Sequence, residues 1–190
     1  MQPTATRATT SGGDPAGHLR DAFRDLHGTR LHAFALLVTL GDGARAARLA
    51  AQALESGAAA AADLRHPERA AAWLRARVVR EDRRRRRSPV RTASVRLAAL
   101  SGLDVDQQTF AALSSLNHLA RAALVSAAIE RLDDRDVATI VGRGGARLDA
   151  LLRNARRAYA ARYAAASTDL GPASGPITEK VRDIAARAMA

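Results

Sequence analysis

The feature that narrows this chain's folds most is a missing periodicity: no stretch alternates apolar and polar residues with period two, while apolar residues recur at three- and four-residue spacing. Sheets are thereby disfavoured, and an all-α fold is the expectation. In the first part of the chain Leu19, Phe23 and Leu26, then Leu31, Phe34 and Val38, keep helical spacing behind an Asp14-Pro15 start, and Gly41 ends that helix. Asp42 can cap a second helix carrying Leu49, Ala53 and Leu54 that stops at Gly57. Pro67 and Glu68 open a third with Ala70, Leu74 and Val78, and Ser88-Pro89 terminates it.

Downstream, Phe110 and Leu113 mark one short helix, and Leu116, Leu119, Ala123 and Ala127 mark another. Asp133 caps a further short helix holding Val137, Ile140 and Val141, which Gly142 closes before a longer helix with Leu148, Leu151, Leu152, Ala155 and Tyr159 on one face. Two helices joined by a few residues that include glycine form a helix-turn-helix pattern. Ser-, Thr-, Gly- and Pro-containing stretches divide the chain. The expected organisation is a disordered N-terminus over 1–16, a helical domain over 17–86, a flexible linker over 87–106, and a helix-turn-helix domain over 107–165. A linker and a short amphipathic tail helix over 166–190 complete it, with Ile177, Val181, Ile184 and Ala188 on one face of the tail.

Composition sharpens the functional question. Of 30 Lys+Arg residues Lys180 is the only lysine, leaving 29 arginines, and the formal net charge is +11. Such a surface seeks polyanions. The absence of cysteine excludes disulfides, thiolate metal sites and a cysteine nucleophile. The five histidines show no HExxH or comparable ligand spacing, so no metal, cofactor or catalytic residue is expected. Asp133, Asp134 and Asp136 are read as acids favoured by a helix macrodipole, and Gly142 to Gly145 as a turn rather than a phosphate loop. No uncharged run approaches the roughly 20 apolar residues that span a bilayer, and no apolar core follows the arginine of the first 15 residues; a cytoplasmic protein without membrane contact is the expectation. In Arg83, Arg84, Arg85, Arg86 and Arg87 five successive guanidinium groups repel one another, a strain that a phosphate backbone relieves.

The order of these elements resembles a small bacterial RNA polymerase sigma factor of the extracytoplasmic-function group. Leu31 to Asp42 looks like the first core helices ending in that family's Gly-Asp turn, and Arg65 to Arg75 is similar to its segment ending in a Trp-Leu pair. The Arg83 to Arg87 run stands where the family has a basic helix end before its linker, and Leu132 to Tyr159 is similar to its C-terminal helix-turn-helix. The resemblance implies two helical domains joined by a flexible linker, partners in core RNA polymerase, double-stranded promoter DNA and an anti-sigma or other regulatory protein, and binding work with no reaction of its own. It implies DNA contacts from the Arg83 to Arg87 run and from Arg143, Arg147, Arg153, Arg156 and Arg157. Arg45, Arg48, Leu49 and Gln52 become the polymerase or partner contact.

Two features of the residues keep a second reading open. Arg45 and Arg48 stand where the family carries acids, and alanine predominates between Gly57 and Trp73, where melting aromatics are expected. A diverged sigma-fold regulator, acting through protein contacts without promoter melting, is the alternative.

Overall fold

The structure, a computed structural model, describes residues 15–60, 69–84 and 92–170. Every regular element among them is helical: α1 (Pro15–Val38), α2 (Gly43–Ala59), α3 (Ala70–Arg84), α4 (Ala93–Leu100), α5 (Gln107–Ser115), α6 (His118–Leu124), α7 (Asp134–Val141) and α8 (Ala146–Leu170). A 3₁₀ turn, Ser101–Leu103, follows α4, and a π-helical turn, Val125–Ile129, extends α6. No helix among the described residues is long and apolar enough to cross a membrane. Asp14, Pro67, Glu68, Arg85, Arg86, Arg87, Ser88, Pro89 and the expected tail helix over 177–190 lie outside the described residues.

Short polar side chains start four of the eight helices by accepting the orphan amide hydrogens of the first turn. Asp42 accepts from the Arg45 amide at 3.1 Å, Asp106 from Thr109 at 2.7 Å, Asn117 from Ala120 at 2.9 Å and Asp133 from Asp136 at 2.7 Å. Glycines divide into two kinds. Gly41 (φ +73°) and Gly142 (φ +67°) take the left-handed conformation that reverses the chain after α1 and α7. Gly57, by contrast, does not end α2, which continues to Ala59. A Cβ at Gly57 would come within 2.8 Å of both Leu74 and Phe23, so this glycine lets α1 and α3 approach α2.

The buried apolar side chains form one cluster running from Leu31 on α1 to Tyr163 on α8. Phe34, Leu49, Leu74 and Val78 of the N-terminal helices share it with Leu113, Leu124, Val137 and Tyr159, each no more than 1% exposed. Within that cluster α2 and α3 pack on α1, α5 and α6 on α8, and α7 on α3. The stretch read as linker contains α4 in its described part, with Leu100 fully buried. Only that residue of α4 is buried, which leaves the helix without an apolar stripe for the sequence to display.

Polar bonds cross between the N-terminal helices (α1 to α3) and the C-terminal ones (α5 to α8). Arg121 of α6 donates to the carbonyls of Leu113 at 2.9 Å, Leu116 at 2.7 Å and Val38 at 2.7 Å, the last being the end of α1. Burial pushes its pKa down to about 10 against the attraction of Asp82, so the guanidinium is charged at neutral pH. Asp82 of α3 binds Arg45 of α2 on one carboxylate oxygen and His118 of α6, at 2.8 Å, on the other. Arg75 of α3 grips both oxygens of Glu130, with Nη2 at 2.6 Å.

The Gly41 turn is the tightest backbone junction, because a side chain there would meet the Arg96 carbonyl of α4. Gly41→Ala combines that clash with an unfavourable φ, and we expect it to lower stability by about 2 kcal/mol or more, read as a fall in the urea midpoint. An unchanged midpoint would mean that α4 does not seat on this turn.

Candidate nucleic-acid interface

Two cationic surfaces are built by different helices. On α3, residues 73, 77, 80 and 84 fall within about 60° of one another at 100° per residue, so Trp73, Arg77, Arg80 and Arg84 form a stripe. The Arg77 guanidinium lies 5.2 Å from the Trp73 ring centroid, a cation–π contact that orients the arginine along the helix. Arg80, Arg83 and Arg84 are exposed, and Arg84 is paired with Glu81 at 3.0 Å. Of the expected run, Arg83 and Arg84 are thus on the surface at the end of α3, and Arg85 to Arg87 lie beyond the described residues. Reading the run as a block missed Arg77 and Arg80; their four- and seven-residue spacing from Trp73 is the signal that finds them.

The second surface is the α7–turn–α8 unit. Val137, Ile140 and Val141 of α7 and Leu148, Leu152 and Ala155 of α8 are buried, which fixes the two helices against the core. Four residues connect them. Gly142 and Gly145 both have positive φ, and the Gly145 carbonyl accepts from the Leu148 and Asp149 amides to start α8. Arg143, Arg147, Arg153 and Arg157 are exposed, whereas Arg156 is half-buried. No carboxylate among the described residues pairs with any of these five arginines.

They do not line a single face. At 100° per residue Arg153 and Arg157 sit about 40° apart, Arg147 lies about 80° to one side of Arg157, and Arg156 about 100° to the other. Arg143 and Arg147 instead flank a groove of about 550 Å³ between α8 and the α5–α6 junction, lined also by Asn117, Leu151, Asn154 and Ala158. Its rim offers guanidinium and amide donors over an alanine-rich floor, chemistry suited to an anionic ligand.

The expected partner contact on α2 is divided by the fold. Leu49 is 1% exposed and belongs to the core. Arg45 turns inward, its side chain 14% exposed, to pair with the Asp82 carboxylate and to donate to the Asp82 carbonyl at 2.7 Å. Arg48 and Gln52 face outward. Gln52 lines a groove of about 430 Å³ between α2 and α3 together with Glu55, Ser56, Arg77 and Glu81. Carboxylates therefore do stand beside this helix, one of them contributed by α3, and a reading along α2 alone does not reveal Glu81.

Two histidines have defined surroundings. His27 packs against Phe23 with ring centroids 4.6 Å apart and planes tilted by 60°, and burial, aided by the charge on Arg75, lowers its pKa. His118 is the partner of Asp82 already described. Among the described residues no three His, Cys, Asp or Glu side chains gather as a metal site. No family model matches the chain, and neither a curated protein nor a solved structure matches it.

The different roles of the two α2 arginines can be measured. Arg45→Met leaves the buried Asp82 carboxylate with His118 alone and is expected to cost about 2 to 4 kcal/mol of stability, while Arg48→Met stays within about 0.5 kcal/mol of wild type. Equal effects in urea unfolding would show that Arg45 is not committed to the interior.

Proposed function

We propose that this protein is a sigma-factor-like DNA-binding transcription initiation protein that directs RNA polymerase to promoters. The carrying observation is a pair of arginine surfaces on different helices: the Trp73–Arg77–Arg80–Arg84 stripe of α3 and the exposed Arg143, Arg147, Arg153 and Arg157 of the α7–turn–α8 unit. On this reading the two halves act as separate helical domains, the second using α7 and α8 as a helix-turn-helix. The first turn of α8 enters the major groove, Arg143 and Arg147 contact DNA there, and Arg153 and Arg157 engage phosphates along the helix. The work is binding in the cytoplasm, with no reaction of its own. Core RNA polymerase meets the outward face of α2 at Arg48 and Gln52, beside Glu55 and Glu81 of the neighbouring groove.

A second reading is favoured by Arg48. It is an outward arginine where the sigma resemblance implies an acid, and it suits an acidic protein partner better than a surface that selects carboxylates. The protein would then regulate through protein contacts, an anti-sigma or other regulatory protein among them, without melting promoters.

Two experiments test these readings. If four arginines neutralise phosphates, log affinity for duplex DNA falls against log salt with a slope near about −3.6, and Arg143→Ala or Arg157→Ala reduces that slope by about one phosphate contact. Absence of binding, or binding indifferent to salt, would remove α7 and α8 from DNA. In a pull-down with core polymerase, Arg48→Asp strengthens capture by about 5- to 150-fold on the first reading. On the second reading neither form binds polymerase, and the substitution abolishes capture of an acidic partner.

A further inference from the structure

The groove between α8 and the α5–α6 junction joins positive charge to a concave apolar floor. Its volume of about 550 Å³ falls within the range, about 300 to 1,000 Å³, of sites that hold one small organic molecule. The space exists because Ala120, Ala150, Ala155 and Ala158 stop at Cβ, where longer side chains would close it. Position along α8 sets the order of the chemistry. At 1.5 Å per residue Arg147 and Ala158 stand about 16 Å apart, with Leu151 and Asn154 between them. At 100° per residue these three lie within about 40° of Arg147, whereas Asp149 lies about 160° away. Arg143, placed by the turn whose Gly142 and Gly145 have positive φ, joins Arg147 at the start of α8. No Asp or Glu lines the groove. The side-chain oxygen of Asn117 is taken by the Ala120 amide at 2.9 Å, so its NH2 is the end left to donate. No aromatic ring lines the groove either, which gives a nucleic-acid base nothing to stack on.

We propose that this groove binds a free single-chain amphiphilic anion, a phosphate or carboxylate head on an aliphatic body. The head sits between Arg143 and Arg147, whose guanidinium forks match either group and meet no carboxylate of the protein among the described residues. The body runs over Leu116 and Leu151 toward Ala158, removing apolar surface from water. A concave floor between helices admits one chain, whereas the surface of a bilayer does not reach it. The site does not depend on the sigma-like reading. One consequence does: Arg143 and Arg147 cannot serve an anionic head and DNA phosphates at once, so an occupied groove lowers DNA affinity. With two of four phosphate contacts withdrawn, the slope of log affinity against log salt drops to about −1.8.

Calorimetric titration of the full chain tests the site, with decyl phosphate below its micelle concentration as the probe. One molecule should bind per chain, and inorganic phosphate and decanol, each carrying half of the recognition, should bind at least about tenfold more weakly. From hexyl to decyl phosphate affinity should rise by up to about fourfold per methylene buried, and the gain should stop once the chain outruns Ala158. Arg147→Ala should weaken binding about tenfold or more, and Ala158→Phe, filling the far end, should erase the gain of the longer chains. Both positions are exposed, as is Arg135 of α7, which lies outside the groove and whose replacement by alanine should leave binding unchanged. Failure to bind decyl phosphate, affinity no greater than for inorganic phosphate, a rise with chain length that never levels, or an equal loss in Arg135→Ala overturns the site. Capture by phosphatidylglycerol vesicles without binding of monomeric decyl phosphate overturns it too, in favour of a membrane surface. The chain-length series uses the wild-type protein and decides the question whatever the substitutions do to folding. Duplex DNA affinity undiminished by saturating decyl phosphate overturns the mutual exclusion; if the free protein binds no DNA, the sigma-like reading fails while the calorimetry still decides the groove.

Discussion

A single buried guanidinium is the constraint around which the helices are arranged. Arg121 donates to three backbone carbonyls near helix ends, those of Val38, Leu113 and Leu116, of which Leu113 also accepts from the Leu116 amide. In a buried setting each unmet carbonyl costs on the order of 1 to 3 kcal/mol. Placing one cation among the three carbonyls therefore fixes where α1 stops, how α5 turns into α6, and how those two places meet. The choice of arginine is a matter of geometry: a planar fork reaches three acceptors in different directions, which a lysine ammonium on a flexible stem does less rigidly. Asp82, attracting Arg121 from α3, offsets part of the burial penalty.

The same residue type serves two opposite purposes in this chain. Arg45, Arg75 and Arg121 are drawn inside, each with a carboxylate or carbonyl partner, and they bond segments distant in sequence. Arg48, Arg80, Arg83, Arg143, Arg147, Arg153 and Arg157 are exposed and supply the positive field. The net charge of +11 consequently understates how the cations are organised. Charges inside specify the fold, and those outside are available to a polyanion. An alanine-rich core makes the inner set more consequential, since small side chains bury little apolar area apiece and leave more of the specificity to polar contacts.

Much of the helix plan was legible because caps and turn glycines act locally: Asp42, Asp133, Gly41 and Gly142 each do what short-range chemistry dictates. Gly57 was misread as a stop, since the sequence does not show that Phe23 and Leu74 converge on it from other helices. Helix α4 stayed hidden for want of an apolar stripe. Among the site residues, the exposure of Arg48, Arg147, Arg153 and Arg157 follows from helical position, whereas the inward turn of Arg45 depends on Asp82, 37 residues away. Periodicity assigns a residue to a face of its own helix; it carries no information about which other helix covers that face.

The central claim is that the N-terminal and C-terminal helices are coupled through one core and the polar bonds across it. Trp73 is the only tryptophan and lies in the first half, while Tyr159 and Tyr163, the only tyrosines, lie in the second. Equilibrium urea unfolding followed by Trp73 fluorescence and by the NMR signals of the two tyrosines therefore reads both halves in one sample. Coupling predicts that the two probes share one midpoint and one slope. Two transitions separated in urea, each with its own slope, would contradict it and return the chain to two independent helical units.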